Sequence, residues 1–158
     1  MSIQHRIGNL LKMNDIDVII GVNNLYHTMG AGIAKQIADM YPEALEADKA
    51  TPHGDSSKLG TFSYAKVDGP YGKKTVINLY AMQGLGTHKR QTQYEAFYIG
   101  MESIHNQVMD SKKDLVIGVP AGIGCGLAGG SRKIINAMLE EIFGESSVKL
   151  VIVEWKKD

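Results

Sequence analysis

Between Val18 and Tyr41 the chain passes from a β-branched run through a glycine loop into a helical repeat, and this unit constrains everything around it. Val18-Ile19-Ile20-Gly21-Val22 is short, continuous and apolar, the pattern of a strand buried on both faces. Two asparagines, Asn23 and Asn24, follow it. Met29-Gly30-Ala31-Gly32 then leads into Ile33, Ile37 and Met40-Tyr41 at helical spacing, and Pro42 either ends that helix or separates it from a second short one. Glycines without a Cβ let ligand oxygens approach the backbone where the first helical N–H groups point outward. This loop is shaped for an anion.

A second unit of the same kind lies near the C-terminus. Leu115 to Val119 reads as a buried strand, Pro120 to Gly130 as a second glycine-rich loop, and Ser131 to Phe143 as a helix with Ile134, Ile135, Met138, Leu139 and Ile142 on its buried side and Gly144 as its stop. Lys149 to Val153 closes the sheet, with Trp155 just beyond, where its ring covers a pocket or a sheet edge. Ser2 to Ile7 reads as a first edge strand, and Gly8-Asn9 as a turn in which Asn9 either caps the chain or offers its amide to a base edge. Pro42 to Ala50 is a short helix, and Thr51 to Lys58 a polar loop with a solvated His53. Leu59 to Val67 and Lys74 to Tyr80 form a hairpin around Asp68 to Gly72. The basic loop from Ala81 to Thr92, carrying His88, Lys89 and Arg90, is a candidate lid, and Gln93 to Asp110 is a helix with Phe97, Met101, Ile104 and Val108 as its stripe. Strands alternating with helices place the chain in the α/β class.

Composition sets limits on partners. The chain of 158 residues is long enough for one domain with a core, and its 17 basic residues balance 17 acidic ones, so no global field draws it to nucleic acid or membrane. An anionic ligand must be held locally. The N-terminal residues lack the apolar centre of a signal peptide, no stretch has the length of a membrane span, and a single cysteine excludes an intrachain disulfide, so a cytoplasmic setting is expected.

Several familiar motifs fail in detail. Gly124-Cys125-Gly126-Leu127-Ala128-Gly129 spells G-x-G-x-x-G, but one strand alone follows it and no acidic residue ends a strand about 20 residues on, so the dinucleotide fingerprint lacks its second half. Neither loop ends in the Gly-Lys-Ser/Thr of a P-loop. Cys125 among N–H donors suggests a nucleophile, yet the cysteine-phosphatase loop needs an arginine where Ser131 stands, and Arg132 misses by one; Cys125 is better read as a small apolar filler beside the ligand. The five histidines show no zinc spacing, and no metal or cofactor is expected. What remains is two glycine loops after neighbouring buried strands. Two facing phosphate cradles suit a diphosphate, and asparagines beside them suit the ribose and base of a nucleotide diphosphate sugar.

In Gly8-Asn9-Leu10-Leu11, Asn24 to Ala34, Tyr41-Pro42-Glu43-Ala44, Leu59-Gly60-Thr61, Asn78-Leu79, Tyr94-Glu95-Ala96 and Gly122 to Gly130, in that order over nearly the whole chain, the sequence resembles the macro domain family. It is most similar to the stand-alone phage and bacterial members, related to ADP-ribose 1''-phosphate phosphatases and terminal ADP-ribose glycohydrolases. The resemblance implies a single domain over residues 1–158 with a three-layer α/β/α fold and a mixed central sheet, binding ADP-ribose or a derivative, with an ADP-ribosylated macromolecule as a possible partner. It places one phosphate on Met29, Gly30, Ala31, Gly32 and Ile33, and the other with the distal ribose on Ala121, Gly122, Ile123, Gly124, Cys125, Gly126 and Leu127. Asn24 takes the place of the distal-ribose asparagine, and Asn9, with Leu10 beside it, that of an adenine-binding aspartate.

The family's catalytic groups are not in register. Ala128 stands where the glycohydrolases carry an aspartate, Ala81-Met82-Gln83 where they carry a lysine, and Gly21 where the phosphatases carry a histidine. A water held by the ligand and by Asn24 or His27 is the expected nucleophile of a hydrolase; a non-catalytic ADP-ribose-binding module is the alternative. Direct nucleic-acid binding through His88-Lys89-Arg90 is disfavoured by the balanced charge and the lack of aromatic platforms.

Overall fold

The computed structural model describes residues 2–84, 90–125 and 128–156. Six strands run in chain order as β1 (Ile3–Gly8), β2 (Val18–Asn23), β3 (Phe62–Gly69), β4 (Gly72–Tyr80), β5 (Val116–Pro120) and β6 (Lys149–Trp155). Four α-helices lie among the described residues: α1 (Gly32–Met40), α2 (Pro42–Lys49), α3 (Tyr94–Asp110) and α4 (Arg132–Phe143). The strands form one sheet in the order β1-β6-β5-β2-β4-β3, parallel throughout except for β3, which pairs antiparallel with β4 through a hairpin closed at Gly69 and Gly72. This is the expected mixed sheet.

Every residue of β2 is buried, as its unbroken apolar run requires. Ile20 and Val22 face one layer of helices, where Phe97, Met101 and Ile104 of α3 and Ile135, Leu139 and Phe143 of α4 complete a core. Ile19 faces the other, with Ile37 of α1, Tyr41, Ala44 of α2, and Leu10 and Leu11 of a short 3-10 turn. The three layers follow from this alternation along the central strands. α3 can lie close to β4 because Gly100 has no side chain: a Cβ there would come within 2.2 Å of Leu79 Cδ1.

Two expectations need correction. Ile134 is 43% exposed and not on the buried side of α4, since Ile135 and Leu139 already fill the angle that faces the sheet. β6 runs on to Trp155 instead of ending at Val153, because β1 pairs with it as far as Gly8 opposite Trp155.

Candidate functional site

β2 and β5 hydrogen-bond to each other only at the start, through Val18 opposite Ile117 and Ile19 opposite Gly118, whereas β2 and β4 stay in register from Val18 to Asn23. Beyond those two rungs the C-terminal ends of β2 and β5 fork. The chain leaves β2 toward β4 on one side and returns to β5 on the other, so the fork is the point where strand order reverses, the place where open α/β sheets bind ligands. A cavity of about 580 Å³ occupies it.

One wall is the segment from Asn24 to Ala31 and the start of α1. Asn24 is buried; its Oδ1 accepts from the Tyr26 N–H at 2.8 Å and its Nδ2 donates to Thr28 Oγ1 at 2.7 Å, folding the chain into a tight loop. Behind the loop lies a buried polar cluster. The ammonium of Lys58, 5% exposed, donates to the carbonyls of Leu25 at 3.2 Å and Pro52 at 2.8 Å and sits over the Tyr80 ring. The Tyr80 hydroxyl donates to Asp48 Oδ1 at 2.7 Å, and Asp48 is fully buried. Burial, then the Asp48 carboxylate, pushes the Tyr80 phenol up to about 12, while burial lowers Lys58 against the opposing pull of Asp48 and Asp55. At the front, Gly30 and Gly32 face open space, Gly32 in the left-handed region at φ +57, and Ala31 caps α1 without any side-chain hydrogen bond. The first N–H groups of α1 therefore open on the cavity.

The other wall is the turn after β5. Gly122 and Gly124 adopt φ +69 and +73, and the turn is closed by Ile123 N–H donating to Pro120 O at 3.1 Å and Cys125 N–H to Gly122 O at 2.8 Å. Thr92 donates to Gly124 O from behind. Burial raises the Cys125 thiol, opposed by nearby Arg132, so this thiol is not primed as a nucleophile at neutral pH. Arg132 pairs instead with Glu154 at 3.1 Å, which holds that carboxyl below its ordinary range.

Asn24, Gly30, Ala31, Gly32, Ile33, Ala121, Gly122, Ile123 and Gly124 all line the cavity. The other proposed site residues are placed differently. Asn9 uses its Oδ1 to accept from Leu11 N–H at 3.1 Å as the cap of the 3-10 turn, and Leu10 and Met29 are buried in the core beside it. His27, at φ +59, turns its Nε2 onto the Thr51 carbonyl at 2.6 Å and its ring toward His53, so it braces the loop from outside. Cys125 packs against the α3/α4 core. Gly126, Leu127, His88 and Lys89 lie outside the described residues.

Sequence reasoning passed over Asn23. It is 3% exposed, lines the cavity floor, and its Nδ2 has no hydrogen-bond partner among the described residues. The signal was its place as the last polar residue of a central strand, overshadowed by Asn24 beside it. Gln91 and Met82 reach the cavity through an isolated bridge between Met82 and Thr92, which no local pattern announces. Trp155, half exposed, stands at the rim.

The three-layer fold around a mixed six-stranded sheet is that of the macrodomains. The structure superposes with a TM-score of 0.75 on the macrodomain of Mycobacterium tuberculosis DarG, 20% identical, over 96% of this chain and 97% of that one. It matches Thermosipho africanus DarTG, whose structure is a complex with ADP-ribose, with a TM-score of 0.71 at 14% identity, over 90% of this chain and 38% of the larger one. No protein-family model matches the chain. In sequence it is 32% identical over 134 residues to an uncharacterized 17.5 kDa protein from the tk-vs intergenic region of Enterobacteria phage T4, covering 84% of this chain and 83% of that protein. The chain belongs to the family of that phage protein and has the macrodomain fold. No helix among the described residues is long and apolar enough to cross a membrane.

Proposed function

We propose that the fork binds ADP-ribose or a close derivative, with the diphosphate between the two glycine turns. The observation that carries this is the pairing of an uncapped helix start, Ala31 to Ile33, with the open backbone of Gly122 to Gly124 across one cavity of about 580 Å³. Unpaired N–H groups at a helix N-terminus suit phosphate oxygens, and glycines let them approach. Asn23 and Asn24 on the floor suit ribose hydroxyls, and the Trp155 ring at the rim offers a face for a base. That a Thermosipho protein with this fold in part of its chain was solved in complex with ADP-ribose supports the choice of ligand. Titration calorimetry with ADP-ribose tests it, and co-crystals should show the diphosphate between Gly32 and Gly122. Absence of any heat of binding at millimolar ligand would defeat the proposal.

A hydrolase of ADP-ribose derivatives is the second reading, favoured by two asparagines, Asn23 and Asn24, side by side in the lining of the cavity. Among the described residues lining the cavity no carboxylate, imidazole, amine or thiol is found, so the attacking water would be oriented by amides and by the ligand's own phosphates. Incubation with ADP-ribose 1''-phosphate distinguishes the two. Phosphate release that falls with Asn23→Ala supports turnover, and recovery of intact ligand from a tight complex leaves a binding module. His27→Ala serves as the control for a residue outside the cavity.

A further inference from the structure

The ligand proposed above carries two negative charges, yet every described side chain lining the cavity is neutral. The nearby cation is Arg132, the first residue of α4. Its guanidinium lies flat against the bare Cα of Gly122: a Cβ added there would sit 2.7 Å from Nε and 2.9 Å from Cζ. Gly122 itself lines the cavity, so the charge stands one residue's thickness from the ligand's space.

That guanidinium is engaged. Nη1 and Nη2 donate to the two carboxylate oxygens of Glu154 at 3.1 and 3.4 Å. Both side chains are more than half exposed, at 57% and 54%. An exposed pair of this kind holds its partners together by only about fivefold or less. The diphosphate offers the same fork two non-bridging oxygens on each phosphorus and two negative charges in all against the carboxylate's one, and arginine is suited to such planar two-point contacts.

We infer that Arg132 and Glu154 form a charge-selecting rim, in which an anionic ligand in the fork draws Arg132 away from Glu154 and Glu154 competes with the ligand for it. This rests on the ADP-ribose reading and adds a specificity-determining residue to it. Arg132 contributes affinity for ligand charge, while Glu154 sets a threshold that weakly charged ligands do not cross. Glycine at position 122 is part of the device, because any side chain there would occupy the guanidinium's seat.

The test is calorimetric titration of ADP-ribose into the full chain and into Arg132→Gln and Glu154→Gln, at about 0.1 M and about 1 M salt, with thermal melts to confirm folding. Arg132→Gln should weaken binding by ~5- to 10-fold and Glu154→Gln should tighten it by ~2- to 5-fold at the lower salt. The three proteins should converge at the higher salt, where screening shortens to about 3 Å. If the wild type binds and both variants stay within about twofold of it, the rim plays no part in recognition while the ADP-ribose reading stands. Weaker binding by both variants would make the pair a structural clasp and overturn the competition. A wild type that does not bind would bring down the ADP-ribose reading and this inference together.

Discussion

The two walls of the fork are built on opposite principles. The wall from Asn24 to Ala31 is held by side-chain contacts, some of them distant: Lys58 grips Leu25 O, His27 reaches Thr51 O, and Asn24 ties Thr28. The turn from Pro120 to Cys125 is held mainly by its own backbone, with glycines at positive φ and short-range N–H to C=O bonds. Adding a side chain should harm a wall made of backbone, and removing one should harm a wall made of distant contacts. A Cβ at Gly124 would meet Thr92 at 3.3 Å, whereas one at Gly32 would meet nothing within 4 Å and so enter the open cavity, from a left-handed backbone at φ +57 that already strains any side chain.

Gly32→Val is therefore the largest expected effect on binding. The valine fills the space assigned to phosphate and displaces several charge-assisted contacts, so ADP-ribose affinity should fall by ~1000-fold or more, about 4 kcal/mol. Calorimetry reads this directly. Normal binding by a folded Gly32→Val protein would place the phosphates elsewhere.

Lys58→Met probes the braced wall. It keeps the aliphatic stem but leaves Leu25 O and Pro52 O without their buried cationic donor, a loss of about 3 kcal/mol in unfolding free energy. Urea denaturation should show it as a lower midpoint at unchanged slope. If stability holds, the first wall is as self-sufficient as the second and the contrast between them fails.

The same brace predicts a pH dependence. Tyr80 titrates near 10 when unfolded and about 12 when folded, so its contribution is complete below pH 10 and is lost as pH rises toward 12. Each unit in that window removes about 1.4 kcal/mol, roughly 2.7 kcal/mol in all. Tyr80→Phe should flatten this part of the profile, and the difference between the two proteins isolates it from the other tyrosines. Parallel curves for wild type and variant would remove Tyr80 as the titrating group.

How far the site could be read in the sequence follows the same division. The turn after β5 was legible because its cause is local: Gly122 and Gly124 are needed where the backbone is left-handed, and they stand beside a buried strand. The sheet was legible for a similar reason, since Val18 to Val22 and Val116 to Val119 carry their burial in their composition. The brace was not, because nothing near Lys58 or Asp48 announces a partner some thirty residues away, and a Lys in a polar loop is ordinarily solvated. His27 looked like a site residue from its distance to Met29-Gly30, but its positive φ swings the ring outward, and no spacing rule encodes that. Asn23 ends the strand with a buried side chain while Asn24, one residue on, ties the loop through Tyr26 and Thr28, a difference that two adjacent asparagines do not announce.

The smallest expected effect separates the helix starts themselves. Ser131 caps α4, its side chain accepting from Ile134 N–H, while Ala31 at the head of α1 offers no such group although its backbone, at φ −148 and ψ 157, is suited to a capping residue. A serine there would satisfy an N–H that the ligand is proposed to use. Ala31→Ser should thus raise unfolding free energy by about 1 kcal/mol in the free protein and weaken ADP-ribose, because the new hydroxyl competes with phosphate for the same donor. A stabilised protein with weakened binding fits a helix start left bare for its ligand. A stabilised protein with unchanged affinity would mean that the ligand leaves those N–H groups to water, and that the diphosphate rests on the glycine turn after β5 alone.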